Sequence, residues 1–283
     1  METDGRVVAI TGAGTGIGQV AAERFAAKGW KVVIGGRRVE KLQETREMIE
    51  QAGGVCFASQ LDVVDGTSVE QFFDAAEAEL GTVTAVIHNA AGARYGTLDT
   101  FSADEIAFEV NVKLTGALLM AARGIRSMKA AGVGGDIVFV TSASGVVPWV
   151  QHLAYAASNA GVEHAQRILR MELEGTGIRC GVLRVGETGG TEFGAGSIAQ
   201  GQMPMELWFR RGLLRHFGLL EKENVADAMI NMVSLPPNHM YDVVAINPVA
   251  PTGEIPASLE EFYAAAMEGA GAESAEAFEQ FRT

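Results

Sequence analysis

The chain has 283 residues, 22 Lys+Arg against 35 Asp+Glu, and a formal net charge of −13. Its 48% hydrophobic and 20% charged residues match a globular enzyme. The acidic balance argues against nucleic acid or an anionic membrane surface as partner, since both call for a basic patch. No apolar run reaches the roughly 18 residues of a membrane helix, and Met1–Arg6 lacks the start of a secretory leader. The two cysteines, Cys56 and Cys180, each lie within a strand-like run and read as buried free thiols in a cytoplasmic, reducing setting. Five scattered histidines give no metal-site spacing.

Val7–Ile10 reads as a short apolar strand, and Gly16–Lys28 follows with helical spacing. Lys31–Ile34 with Val39–Gln51, then Val55–Ser59 with Thr67–Leu80, repeat the pair. Val83–His88 is a fourth strand, followed by a long helix over about Ala103–Ala130. Asp136–Thr141, Ala154–Glu174 and Ile178–Arg184 continue the rhythm. Pro204–His216 and Asn224–Leu235 read as helices, and Tyr241–Ile246 as a seventh strand. Such alternation predicts an α/β fold, a doubly wound parallel sheet of seven strands with helices on both faces. Residues 1–251 are expected to form one domain. Residues 252–283 differ, with seven Glu and one Arg. Leu259, Phe262, Tyr263 and Ala266 there fall at helical spacing, which predicts an extension packed on the body or on a neighbouring subunit.

Between the first strand and the first helix stands Thr11-Gly12-Ala13-Gly14-Thr15-Gly16-Ile17-Gly18. Glycines there permit a tight turn and let backbone N–H groups approach a pyrophosphate, and the helix N-terminus adds partial positive charge. Asp62-Val63 ends the third strand, and His88-Asn89-Ala90-Ala91-Gly92 follows the fourth. Asn111 lies on the long helix, and Ser142, after the fifth strand, stands thirteen residues before Tyr155. In this order the motifs resemble those of the short-chain dehydrogenase/reductase family, over roughly residues 6–250. The resemblance implies a Rossmann-like fold and an NAD(P)(H)-dependent oxidoreductase. Thr11, Gly12, Gly14, Thr15, Gly16, Ile17 and Gly18 would form the phosphate turn. Asp62 and Val63 would contact adenine, and Asn89, Ala90, Ala91 and Gly92 would line the cofactor. Asn111, Ser142 and Tyr155 would be catalytic. Gly186, with Thr188 or Thr191, would meet the nicotinamide carboxamide.

The chemistry behind that site is simple. A ketone gaining hydride develops negative charge on oxygen, so one hydroxyl must donate a proton and a second donor must orient the carbonyl. By the resemblance, Tyr155 would be the acid or base and Ser142 the orienting donor. A cation normally lowers the phenol's pKa from about 10. The family supplies a Lys four residues after the Tyr, and here that position is Asn159, which can hydrogen-bond ribose hydroxyls but carries no charge. Three readings follow. A working enzyme would carry a compensating group, for which His152 is the candidate. A weak or inactive nucleotide-binding homologue would have a regulatory or scaffold role. Asn159 could also be an introduced substitution.

The second strand ends in Arg37-Arg38 with no acid, which favours NADP(H) over NAD(H) through contact with a 2′-phosphate. Tyr95, Val147, Trp149, His152 and Trp208 are expected to line a roomy apolar pocket, with Arg94, Arg210 and Arg211 near its mouth. The substrate expected is a small molecule, a hydrophobic or aromatic alcohol or its ketone. Small residues on the two long helices (Gly116, Ala117, Ala121, Ala122, Ala160, Gly161, Ala165) together with the resemblance imply a homodimer or homotetramer.

Overall fold

The computed structural model describes residues 5–193, 204–214, 219–249, 256–262 and 264. The expected positions His216, Tyr263 and Ala266, and the tail past residue 264, lie outside the described residues. The elements are β1 (Val7–Thr11), α1 (Gly16–Ala27), β2 (Lys31–Gly36), α2 (Val39–Gln51), β3 (Val55–Gln60), α3 (Gly66–Leu80), β4 (Val83–His88), α4 (Ala103–Val110), α5 (Gly116–Ala131), β5 (Gly135–Ser142), α6 (Leu153–Glu172), β6 (Ile178–Val185), α7 (Met205–Arg210), α8 (Lys222–Val233) and β7 (Val243–Ile246). All seven strands are parallel, in the order β3-β2-β1-β4-β5-β6-β7. This is the Rossmann-like doubly wound sheet that the alternation predicts, and its switch point falls between β1 and β4.

The central strands are mostly apolar because both faces are covered. All five residues of β1 are buried. One face packs Ile10, Ile34, Val138 and Leu183 against α1 and α8, with Phe25 and Trp30 meeting edge to face at 5.3 Å. The other packs Val7, Val33, Val86 and Phe139 against α3, α5 and α6. The single helix expected over Ala103–Ala130 is broken by one π turn, Asn111–Thr115, joining α4 to α5. Of the small residues expected to face a neighbouring subunit, Gly116, Ala117 and Ala121 are buried inside the chain, while Ala122 and Ala160 are exposed. Gly116 lies so close to β3's end that a Cβ there would stand 2.8 Å from Val63.

At the N-terminal ends of the strands, opposite the strand C-termini, the carboxylate of Asp136 holds Arg6 at 2.8 Å and Arg179 at 2.7 Å. The Asp136 side chain is 4% exposed. Removing one partner of a buried pair strands the others, at about 3–5 kcal/mol. We therefore expect Asp136→Ala to lower unfolding stability by roughly 3 kcal/mol, read from urea unfolding, with turnover per folded molecule unchanged.

Candidate active site

The C-terminal ends of β1, β2, β4, β5 and β6 open onto a cavity of about 600 Å³. Its floor is the glycine turn. Gly12 has φ +69°, a left-handed conformation in which its N–H donates to the Gly35 carbonyl at 2.8 Å. A Cβ on Gly18 would stand 2.3 Å from the Gly12 carbonyl oxygen, so only glycine allows the turn to close on α1. Thr11 works from beneath: its Oγ1 accepts from the N–H groups of Asn89 (3.1 Å) and Ala90 (2.9 Å), tying the β4 turn to β1. Thr15, at the helix N-cap, makes no side-chain capping bond, which leaves the first N–H groups of α1 to an anion. Gly12, Gly14, Thr15, Gly16 and Ile17 line the cavity, as do Asp62, Val63, Asn89, Ala90, Ala91, Gly186 and Thr188. Gly18 and Gly92 do not; they let helices approach, Gly18 against Gly12 and Gly92 against the Phe108 ring.

At one end Arg37 and Arg38 line the cavity. The Arg37 guanidinium lies 5.2 Å from the Phe108 ring centroid. Arg38 donates to Thr15 Oγ1 at 3.2 Å and to the Glu192 carboxylate at 2.7 Å. An acidic oxygen thus already sits where the arginine can hold an anion. Glu192 follows the Gly186–Gly190 loop, and nothing in its spacing pointed to this contact.

The other end holds the reacting groups. Tyr155 is buried on the first turn of α6 and lines the cavity with Ser142, whose Oγ accepts from the Ser144 N–H at 3.2 Å and from the Ser144 hydroxyl at 3.0 Å. Burial pushes the Tyr155 phenol up to about 12, with the Ser142 and Asn159 side chains acting to lower it. Asn159 lies one turn below, fully buried and outside the cavity lining. Its Nδ2 donates to the Tyr155 carbonyl at 2.9 Å, and its Oδ1 has no partner.

His152 stacks on Tyr95 at 5.0 Å and touches the Tyr155 ring at 4.5 Å. Burial drives its imidazole down to about 4, so it is neutral at pH 7 and supplies no cation for the phenol. Asn111, expected at the site, is exposed instead; its Oδ1 accepts from Thr115 Oγ1 at 3.1 Å. The inward residue of that stretch is Lys113, which the sequence reading missed. It is 1% exposed, lines the cavity and donates from Nζ to the Val140 carbonyl.

Burial lowers the Lys113 amine from 10.5 to about 7. Between those values the unfolded chain binds the extra proton and the folded one does not, so Lys113 costs less stability as pH rises. Wild type should therefore gain on Lys113→Met between pH 7 and about 10 in thermal melts compared at each pH, with the gap constant below 7.

An aromatic wall closes the pocket. Trp208 packs edge on against Tyr95 (5.2 Å) and Trp149 (4.9 Å), and its indole donates to the Val150 carbonyl at 2.8 Å. Phe193 adds a ring 5.2 Å from Tyr155. Phe262, 5% exposed, packs in the same cluster. Val147 is 45% exposed and stands outside the lining. Arg94 is taken by Glu105 and Arg210 by Glu206, and neither lines the cavity.

Comparisons with known proteins show the family. The short chain dehydrogenase family matches residues 6–200. A 3beta-hydroxysteroid dehydrogenase of Eggerthella lenta is 34% identical over 183 residues, 64% of this chain and 70% of that protein. A sulfoacetaldehyde reductase of Chromohalobacter salexigens is 30% identical over 243 residues, 85% of this chain and 93% of that one. An alcohol dehydrogenase of Thermococcus sibiricus, solved with 5-hydroxy-NADP, superposes with TM-score 0.74 at 25% identity, covering 88% of this chain and 99% of its own. The chain belongs to the short-chain dehydrogenase family and, with it, to the oxidoreductases that use a nicotinamide dinucleotide.

Proposed function

We propose that the protein is an NADP(H)-dependent oxidoreductase interconverting a hydrophobic or aromatic alcohol and its ketone. The observation that carries this reading is that Tyr155 and Ser142 line one end of a cavity whose other end is a glycine turn with free helix N–H groups. The turn fits a dinucleotide because Gly12, Gly14 and Gly16 line the cavity without side chains and Thr15 leaves the start of α1 uncapped, and the Arg38–Glu192 contact marks a place for an anionic oxygen. When bound, the nicotinamide supplies or accepts the hydride.

The protein's residues do the rest. Ser142 donates to the carbonyl oxygen and orients it. Tyr155 gives that oxygen a proton in reduction and takes one in oxidation. Tyr95, Trp149, Trp208 and Phe193 exclude water and favour a bulky apolar substrate, of which a hydroxysteroid, named for one relative, is an instance. The protein is expected to act in the cytoplasm as a homodimer or homotetramer.

Cofactor choice has its own test. Arg37→Ala/Arg38→Ala should weaken NADPH by about 10–100-fold, or roughly 1.4–2.8 kcal/mol, and NADH far less. Titration by nicotinamide fluorescence checks this, and equal losses for both would refute the preference. Glu192→Gln should tighten NADPH, because the carboxylate that competes for Arg38 is gone.

A further inference from the structure

Lys113 is the buried charge that the mechanism above leaves unused. A buried lysine is normally paired with a carboxylate, because taking an ammonium out of water costs several kcal/mol. Lys113 has no acidic partner among the described residues; its one hydrogen bond is to the Val140 carbonyl. Val140 stands two residues before Ser142, and Val140, Ser142, Lys113 and Tyr155 all line the same cavity. The amine is thus fixed at the end of β5, whose last residue faces the phenol. The π turn at Asn111–Thr115 carries it there, and such turns recur at functional sites.

The titratable groups around Lys113 are few. His88, fully buried on β4, is held near pKa 3 by burial and by the Lys113 charge. Glu109, one turn earlier, is buried and accepts from the N–H of Arg94. On α6 itself, Asn159 is neutral and outside the cavity lining, with its Nδ2 donating to the Tyr155 carbonyl.

We propose that Lys113 is the ionisable partner of Tyr155, supplying from the α4–α5 helix the charge that Asn159 cannot supply from α6. In oxidation the substrate hydroxyl proton passes to the Tyr155 oxygen, the Tyr155 proton passes to the Lys113 amine, and the ammonium returns it to solvent. Reduction runs the same transfers backwards, and no electron moves in this relay. Lys113 and Tyr155 then titrate as a pair, giving up their first proton near neutrality. Lys113 is a positioning and proton-holding residue, since it reaches the substrate only through the phenol.

The role rests on the oxidoreductase reading, but the two fail differently. Wild-type turnover in Tyr155→Phe defeats that reading. An active wild type whose Lys113 variants behave normally defeats only the relay. The test compares wild type, Lys113→Met, Lys113→Asn and the exchange Lys113→Asn/Asn159→Lys as full chains. Lys113→Met should melt no lower than wild type at pH 7, since it removes an unpaired buried amine. Its alcohol oxidation should fall about 100-fold at pH 7, within the range of a lost proton-transfer group, and its pH midpoint should rise by at least one unit. In the ligand-free protein, tyrosinate absorbance assigned by difference from Tyr155→Phe should also appear at least one unit higher. The exchange should regain at least tenfold over Lys113→Asn, which a merely structural lysine on another helix would not allow. An unmoved pH midpoint or tyrosinate titration, an exchange no better than Lys113→Asn, or a Lys113→Met chain that does not fold would each overturn the proposal.

Discussion

Tyr155→Phe is expected to cut turnover in both directions by about 10²–10⁴-fold, the usual worth of a positioned acid or base, while nucleotide affinity stays within about threefold of wild type, under 1 kcal/mol. The ring remains to pack against His152 at 4.5 Å and Phe193 at 5.2 Å, so the pocket keeps its shape and only the proton donor is lost. Ser142 still polarises the carbonyl, which accounts for residual activity. Steady-state rates with NADPH and a bulky ketone, beside a nucleotide titration, separate the two quantities. Unchanged turnover would return the protein to the alternative of a nucleotide-binding homologue with a regulatory or scaffold role.

Gly16→Val is expected to weaken the nucleotide by at least about 100-fold, or ~2.8 kcal/mol. Gly16 has φ +60°, which an L side chain reaches only at a cost of roughly 1–2 kcal/mol. Its Cβ would stand 3.6 Å from Thr191 on the opposite lip, and the valine methyls would crowd the space between. Gly16 is the first residue of α1 and belongs to no strand, so the sheet should stay folded, with a wild-type far-ultraviolet circular dichroism spectrum. Wild-type affinity would contradict the placement of the dinucleotide on this turn.

The sequence made the sheet and the nucleotide floor legible because both are local. Strand runs such as Val83–His88 announce themselves by composition, and the glycines of residues 12–18 by a geometric need that no other residue meets. The Ser142–Tyr155 pair was legible through the family resemblance, and the end of β5 and the start of α6 bring both residues to one cavity. The long helix was misread at its centre. Asn111 matches the family by residue type, but the inward face runs back from Gly124 through Ala121 and Ala117 to Lys113, at helical spacing of three and four. That register was present in the sequence, and it pointed to the lysine. His152 was rightly placed beside Tyr155, but its charge state depends on burial by Tyr95 and Trp208, which comes from distant segments. Glu192 on Arg38 is likewise a contact across 154 positions, beyond any periodicity.

The central claim is that this cavity moves a hydride between NADP(H) and a bulky apolar alcohol or ketone, with Tyr155 handling the proton. Incubation with NADPH deuterated at the transferable nicotinamide position and a panel of hydrophobic and aromatic ketones tests it most directly. The account predicts one deuterium per turnover at the carbinol carbon, on one face only, and none with Tyr155→Phe on the same timescale. A protein that binds the nucleotide but delivers no label to any ketone, or delivers it equally well without the Tyr155 hydroxyl, would contradict it.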